Sequence, residues 1–291
     1  MIKKFSILCL VLLFLVVNTE VRSQIEGEEK ENKFSESTRA KYDEVEAGIQ
    51  KELKTLKNHK WAGEYSYGNG LGTNIRILLS PESGFVFTWI GDLGLYDLNY
   101  GKVEERNGKI IFIPALSNKR EGFKGMETEF YPVTWGQRHY LIPVSKIIKF
   151  ANIISLSLGQ GEFAGYRGSF ALREGDENKT AKGKIDLPNE FRAYLLEKPI
   201  KASITQVIAS VLLDKDYSKT RTTEMILDVG SRNKVKIGME FYVFSPSGVS
   251  GSVEVIEVNE KTSKAKMVQV MYEKDESLTP AINWKLSTNP Y

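Results

Sequence analysis

Apolar and polar side chains alternate along most of the chain after residue 60, and this period of two constrains the fold more than any other feature. Successive side chains of a β-strand point to opposite faces, so alternation is typical of strands with one buried face. The alternating runs are short, and turn signals such as SPESG at 80–84 separate them. Asn107-Gly108 supplies the positive φ angles of a tight hairpin. The pattern predicts antiparallel strands joined by short turns.

The runs fall into two groups, one on each side of Pro199. The strands predicted before it span 64–67, 74–80, 85–90, 96–105, 109–113, 127–135, 139–144 and 169–173. Those after it span 201–213, 224–229, 239–244, 252–258 and 264–271. Sequential strands with short connections favour a sheet that curves or closes. We therefore predict a mainly β fold, in which an antiparallel β-meander or barrel-like domain is preceded by one helix and followed by a small C-terminal β-barrel.

Helices are predicted at three places. Residues 35–60 form a predicted amphipathic helix, either packed on the next domain or used to bind a partner; its apolar stripe holds Tyr42, Val45, Ile49, Leu53 and Leu56. Residues 145–156 form a short inserted helix so apolar that it must plug the sheet or pack against it. Pro188 opens a third, short helix. The predicted domains are an aromatic-rich β-domain at 61–198 and a small β-barrel at 199–291.

The first residues carry the pattern of an export signal. Lysines precede a charge-free run at 5–17, and Val21 and Ser23 occupy the −3 and −1 positions of a cleavage site. These features predict a secretory signal peptide at 1–23 followed by a flexible tether at 24–34. The alternative is a permanent anchor, but the apolar run is shorter than the roughly 20 residues of a membrane span. We expect an exported protein, periplasmic or secreted, with no stable transmembrane segment after cleavage.

Charge and cysteine content exclude several classes of function. The whole chain carries a net charge of +3, and removal of the predicted signal peptide brings it close to neutral. A nearly neutral protein cannot neutralise many phosphates, so nucleic acid is not an expected partner. Cys9 is the single cysteine and lies in the predicted signal peptide. The mature chain would therefore have no disulfide, no thiol nucleophile and no thiolate metal site.

Three glycines at alternate positions, Gly68, Gly70 and Gly72, lie in the stretch WAGEYSYGNGLGTN at 61–74. A dinucleotide-binding loop needs the spacing G-x-G-x-x-G and a helix directly after it. Here the spacing is G-x-G-x-G, and TNIRILLS at 73–80 alternates like a strand. The glycines are expected to bend the chain between two strands rather than to bind phosphate.

The sequence contains no recognisable catalytic grouping, and we predict no catalytic residue, cofactor or metal. His59 and His139 are the only histidines and lack metal-ligand spacing. Asp92 and Asp97 flank the turn GDLGLYD and form either an acid pair or ordinary turn residues. If the protein is an enzyme of unrecognised type, the polar candidates are Asp92, Asp97, Arg138 and His139.

Aromatic residues are dense in the first β-domain. Phe85, Phe87 and Trp89 occupy alternate positions of one predicted strand and so face the same side. That side is either the core or the wall of a hollow pocket, since ligand pockets are mostly apolar with a few polar groups. The candidate ligand-binding residues are Trp61, Tyr65, Trp89, Tyr96, Tyr100, Trp135 and Tyr140.

Two regions resemble known families. Residues 61–114, with WAGEY, SGFVF and GKIIFIP, resemble the lipocalin-like β-meanders of exported bacterial proteins, and this implies a closed or half-closed barrel, in some cases ligand-binding. Residues 225–267 resemble the small β-barrel that ends the bacterial flagellar assembly protein T. In that resemblance, Gly230 and Gly238 lie at turns between strands, and a small interior is filled by Val253, Val255, Val258, Ala265 and Met267.

Together these features lead to two hypotheses of function. The first is an exported bacterial cell-envelope or secreted protein that is not an enzyme and binds an envelope protein or another macromolecule. The alternative is a lipocalin-like carrier of a small apolar ligand. The two differ in whether the first β-domain is filled or hollow.

Overall fold

The chain forms two closed antiparallel β-barrels, of eight and six strands, which confirms the predicted fold class. The predicted signal peptide, the tether up to residue 33, Gly70 and Gly72 lie outside the described residues. The computed structural model describes residues 34–68, 73–118, 125–156, 170–181, 183, 185–215, 218–245, 248–271 and 279–289.

In the first barrel each strand pairs with the next one in sequence, and the last pairs back to the first. The Asn107-Gly108 hairpin joins two of the strands with φ angles of 53° and 72°, as the sequence predicts. The strands are β1 (Gly63–Gly68), β2 (Asn74–Ser80), β3 (Gly84–Gly91), β4 (Gly94–Arg106), β5 (Lys109–Pro114), β6 (Glu129–Trp135), β7 (Arg138–Pro143) and β8 (Ala171–Arg173).

The interior of the first barrel is an apolar cluster built from alternate residues of the strands. Its buried members are Trp61, Ala62, Tyr65, Ile77, Leu79, Phe85, Phe87, Ile110, Phe112, Met126, Phe130, Leu141 and Ala171. The rings of Phe85 and Phe112 stack with centroids 4.2 Å apart. Phe85 and Phe87 thus face the core, which is one of the two alternatives left open by the sequence.

Helix α1 (Glu36–Leu53) covers the outer face of β2, β3 and β4. Ser35 caps its first turn, because the Ser35 side chain accepts the Thr38 N–H at 3.2 Å. Residues 54–60 form turns, so the helix is shorter than predicted. Burial of each aliphatic side chain in such a contact contributes about 1.5–3 kcal/mol. The buried residues beneath and within the helix are Phe34, Tyr42, Ile49, Leu78, Val86 and Leu98.

Glu52 fixes the end of α1 to the β2–β3 turn. Its carboxylate accepts hydrogen bonds from Ser80 Oγ at 2.6 Å, from the Ser83 N–H at 2.8 Å and from the Glu82 N–H at 3.1 Å. Burial acts to raise the pKa of Glu52, but these hydrogen bonds outweigh it and lower that pKa. The ionised side chain therefore ties the helix to the barrel at neutral pH.

Helix α2 (Ile147–Leu156) follows a 3₁₀ turn at Val144–Lys146 and packs on the outer face of β6 and β7. The ring of Phe150 meets that of Tyr140 edge-on at 5.2 Å between centroids. The inserted helix therefore packs against the sheet and does not plug the barrel. The buried residues of this second core are Tyr131, Val133, Trp135, Tyr140, Ile142, Ile147, Phe150, Ala151, Phe170, Ile185 and Leu187.

The second barrel has the strand order β10-β13-β12-β11-β14-β9. Val253, Val255, Ala265 and Met267 fill its interior as predicted, and Val258 packs against that cluster while partly buried. The sequence-based prediction missed β14, a strand of three residues that pairs with both β9 and β11. The strands are β9 (Lys201–Lys215), β10 (Ser218–Leu227), β11 (Glu240–Ser245), β12 (Gly248–Val258), β13 (Ser263–Met271) and β14 (Lys285–Ser287).

The two predicted turn glycines of the second barrel have different physical roles. Gly238 has a φ of +83°, which glycine adopts without strain. Gly230 has an ordinary extended φ of −142°. A Cβ at Gly230 would lie 2.3 Å from the Asn259 carbonyl oxygen, so this glycine allows close approach of two backbone segments.

Polar contacts join the two barrels. Lys149 of α2 forms an ion pair with Glu240 of β11 at 2.7 Å, and its ammonium lies 5.8 Å from the centre of the Tyr242 ring. Tyr194, in a 3₁₀ helix at Asn189–Tyr194, donates its hydroxyl to the Ile237 carbonyl at 3.0 Å. Over the described part of the chain, no helix is both long enough and apolar enough to cross a membrane.

Candidate functional site

The seven aromatic residues predicted to bind a ligand lie in separate places. Trp61 and Tyr65 are buried in the interior of the first barrel, and Trp89 packs partly buried against the same cluster. Tyr96 meets the Trp89 ring edge-on, with centroids 5.5 Å apart. The remaining three lie on outer faces, since Tyr100 packs in the cluster beneath α1 while Trp135 and Tyr140 belong to the core beneath α2.

Polar contacts around Arg173 fasten the chain at one end of the first barrel. The Arg173 guanidinium donates to the Tyr65 hydroxyl at 2.9 Å, and to the carbonyls of His59 at 3.1 Å and Lys60 at 2.9 Å. The Tyr65 hydroxyl in turn donates to the Trp61 carbonyl at 2.9 Å. The Trp61 indole N–H donates a hydrogen bond to the Glu105 carboxylate at 2.9 Å. We call this the closed end of the barrel, because its aromatic residues are buried and their polar atoms are paired.

The opposite end of the barrel, where β1 ends and β2 begins, is less completely filled. Strand register places Tyr67 beside Ile75, Ile75 beside Trp89, and Trp89 beside Asp97. Directly opposed residues point to the same face, so these four side chains form one row across the inner surface. Tyr67, Ile75 and Trp89 are half-buried, whereas the next row inward, with Tyr65, Ile77, Phe87 and Asn99, is at most 4% exposed. The outer row and Tyr96 together form what we call the mouth.

A carboxylate and an ammonium group lie at the mouth. Asp97 is buried, with 6% of its surface exposed. The Lys146 ammonium lies 5.8 Å from the centre of the Tyr67 ring, a cation–π distance. Burial, with a smaller contribution from the Glu127 charge, raises the pKa of Tyr67 to about 12. Partly exposed aromatic rings beside a few polar groups suit a small, mostly apolar ligand.

The four polar candidates do not form one catalytic group. Asp92 lies at the exposed β3–β4 turn, where it accepts hydrogen bonds from the Leu93 N–H at 3.1 Å and from the Tyr96 hydroxyl. The Tyr96 hydrogen bond lowers the pKa of Asp92. Asp97, by contrast, is buried opposite Trp89. Within the described ranges, no three histidine, cysteine, aspartate or glutamate residues are placed to hold a metal ion.

Arg138 and His139 instead hold the loop at 174–180. Arg138 donates to the carbonyls of Lys179 at 2.7 Å and Glu177 at 2.9 Å. His139 contacts one carboxylate oxygen of Asp176 through its backbone N–H at 2.7 Å and through Nδ1 at 2.8 Å. Lys179 donates to the other Asp176 oxygen at 2.5 Å. These contacts give Arg138 and His139 a structural role in this fold.

Asp176 is the residue that sequence reasoning missed. It is fully buried, although it lies in the polar stretch EGDENKTAKG. Burial acts to raise the pKa of Asp176, and the hydrogen bonds from Lys179 and His139 outweigh it, so that pKa is lowered. A turn in which the Lys179 N–H donates to the Asp176 carbonyl at 3.1 Å brings the two side chains together.

Comparison of the chain with protein-family models, with curated proteins and with solved structures found no match.

Replacement of Asp176 by Asn is expected to lower the free energy of unfolding at pH 7 by about 2–4 kcal/mol. The reason is that a neutral amide replaces the buried carboxylate that accepts charge-assisted hydrogen bonds. The lowered pKa gives the sign of the pH dependence. The stabilisation is present above the unfolded-state pKa of about 3.9 and is lost as the pH falls through the lower folded-state pKa. The difference from the unsubstituted protein should therefore shrink towards pH 3 in urea titrations.

The exposed Asp186→Asn variant is the matched control and should unfold like the unsubstituted protein. Equal stability of Asp176→Asn and the control at pH 7 would contradict the structural role of Asp176.

Proposed function

We propose that the protein is an exported, non-enzymatic binding protein whose second barrel docks another protein. The observation that carries this proposal is an exposed apolar sheet face formed by β9, β10 and β13. The export pattern at residues 1–23 supports a location outside the cytoplasm.

The sheet extends beyond the closed part of the second barrel. Strand β14 pairs with β9 only over Lys201–Ser203, and β12 pairs with β13 only over Ser263–Lys266. Further along, β9 and β13 pair with the two sides of β10. We call this three-stranded extension the arm; it comprises residues 208–215, 218–223 and 267–271.

One face of the arm is apolar. Val211 and Val268 lie on either side of Thr222, and Leu213 and Val270 on either side of Thr220. These four aliphatic residues therefore share a face, and each is 52–56% exposed. On the opposite face, Met267 and Thr223 continue into the barrel core with at most 1% exposure. The apolar face is thus the outer one.

The surroundings of this face resemble those of a protein interface. The rows containing Val211 and Leu213 hold only valine, leucine and threonine. Charged residues lie in the row nearer the barrel, where Glu224 is opposite Lys266. An apolar centre with a polar rim is typical of protein–protein contacts, and a contiguous exposed apolar patch marks an interaction surface.

The edges of the arm offer a second means of contact. Among the described residues, no strand pairs with β9 beyond Ile204 on the side away from β10, or with β13 beyond Lys266 on its corresponding side. Exposed edges have free backbone donors and acceptors that can accept an additional strand. The proposed partner is therefore a protein that presents an apolar β-strand or sheet face.

A photo-crosslinking amino acid at position 213, incorporated in the cells that produce the protein, is expected to form an adduct with one partner protein. Combining it with Val211→Thr and Val268→Thr should reduce the adduct at least about fivefold, equivalent to about 1 kcal/mol, because these changes keep β-propensity but remove apolar contact area. The measurement is immunoblotting followed by mass spectrometry of the adduct.

The same photo-crosslinker at the exposed position 261, in the β12–β13 turn of the same barrel, is the control and should not capture this partner. Capture of the same proteins from both positions, or of none from position 213, would contradict the proposal. An adduct consisting of two copies of the chain would show that the arm mediates self-association and does not bind a different protein.

The mouth of the first barrel favours a second function, as a carrier of a small apolar ligand. The supporting observation is the half-buried row of Tyr67, Ile75 and Trp89 above a filled interior. Because the interior below this row is packed, a ligand would lie at the end of the barrel rather than deep within it.

Binding of the apolar dye N-phenyl-1-naphthylamine is expected to quench tryptophan emission by energy transfer from Trp89. Trp89→Phe should reduce this response and weaken binding about tenfold, because the largest surface at the mouth is reduced. The matched control is Trp284→Phe, which alters a half-buried tryptophan of the second barrel. Equal responses of the two variants would contradict binding at the mouth.

A further inference from the structure

A groove on the outer surface of the second barrel encloses about 530 Å³. This volume lies within the range of about 300–1,000 Å³ that is common for small-molecule sites. The groove is separate from the arm and from the mouth of the first barrel. Its polar and aromatic lining residues are Lys201, Ser203, Asp228, Phe244, Lys285 and Ser287.

Strand pairing aligns the side chains of the groove. Phe244 of β11 lies opposite Lys285 of β14, and Lys285 lies opposite Ser203 of β9. The row two residues along places Ser287 opposite Lys201. Both rows point outward, because the intervening row consists of Val243, Leu286 and Ala202, which are buried in the barrel core. The two lysines and the phenylalanine therefore project from one surface.

The groove has an excess of positive charge. Lys285 donates to the Ser203 hydroxyl at 3.0 Å, and among the described residues neither Lys285 nor Lys201 forms an ion pair. Asp228, the single carboxylate of the lining, accepts the Ser203 backbone N–H at 2.7 Å. Asp228 thus compensates at most one of the two ammonium groups.

The groove also offers an apolar surface. Phe244 is half-buried and belongs to an outward-facing row, so its ring supplies this surface, whereas the Leu286 side chain points into the core. A ligand that used all of these groups would place an aromatic body against Phe244, since aromatic pairs gain energy beyond the burial of area, and an anionic group near the lysine ammoniums. The serine hydroxyls could donate further hydrogen bonds to that anionic group.

We infer that this groove binds a small organic anion with an aromatic body, of which an aryl carboxylate is the simplest example. Lysines recognise such a group as point charges on flexible stems, so the site selects charge and an apolar body more strongly than a particular anion shape. The site does not depend on the function proposed for the arm.

The test uses 1-naphthoate as the probe and isothermal titration calorimetry of the purified protein. Binding is expected with a dissociation constant below about 1 mM, and Lys201→Ala combined with Lys285→Ala should weaken it at least about tenfold. The charge-retaining variant with Lys201→Arg and Lys285→Arg should restore binding, which separates loss of charge from loss of fold. The cation 1-naphthylmethylammonium, with the same ring system, should not bind in the groove.

Lys261→Ala, which removes an exposed lysine elsewhere on the same barrel, is the control and should bind 1-naphthoate like the unsubstituted protein. Undiminished affinity in the double alanine variant would show that 1-naphthoate binds elsewhere and would overturn the inference. Absence of 1-naphthoate binding would also overturn the inference. So would binding of 1-naphthylmethylammonium with the same affinity as 1-naphthoate, if the two alanine substitutions weaken it.

Discussion

A strand of only three residues closes each barrel, and the rest of the structure depends on these two closures. Strand β8 joins β7 to β1, and β14 joins β11 to β9. Closure gives strands on both sides of the gap a hydrogen-bonding neighbour and encloses the apolar interior. In the first barrel Arg173 of β8 also holds the entering chain through Tyr65, His59 and Lys60. Strand β8 therefore contributes both to the packing and to the hydrogen bonding of the first barrel.

Closure buries the inner faces of the strands, whereas each outer face is either covered by another element or exposed to water. Helix α1 covers β2 to β4, and α2 covers β6 and β7, so these strands also bury apolar side chains on their outer faces. Among the described residues, no helix covers Val211, Leu213, Val268 and Val270 of the arm, which are all exposed. This contrast is why the arm, rather than the dense aromatic region of the first barrel, carries the leading proposal of function. The aromatic residues of the first barrel are largely used for packing.

Much of the fold follows from periodicity that the sequence makes visible. Alternation locates most of the longer strands, and Asn107-Gly108 marks a hairpin whose positive φ angles the structure contains. The short closing strand β14 escapes prediction because three residues are too few to display a period. Strand β8 of the first barrel lies within the predicted strand 169–173, but local alternation does not show which strands it pairs with. Pairing across such a strand is set by tertiary structure and not by local propensity.

The candidate sites were harder to predict for a related reason. Trp135 and Tyr140 face outward beneath α2, but an aromatic residue on a covered outer face has the same local pattern as one in the barrel interior. The apolar run of β9 similarly resembles a buried strand, although Val211 and Leu213 are exposed. Asp176 lies in a polar loop and reveals its burial only through contacts with a distant strand. Sequence patterns identify residues that can be buried, whereas the three-dimensional arrangement decides which ones are.

Amide hydrogen exchange of β8, resolved by NMR spectroscopy, tests closure of the first barrel most directly. If β8 is bonded on both sides as described, the amides at 171–173 that donate to β1 and β7 will exchange as slowly as the paired amides of the central strand β3. Exchange of β8 at the rate of an exposed loop, while β3 remains protected, would show an open sheet and contradict the account.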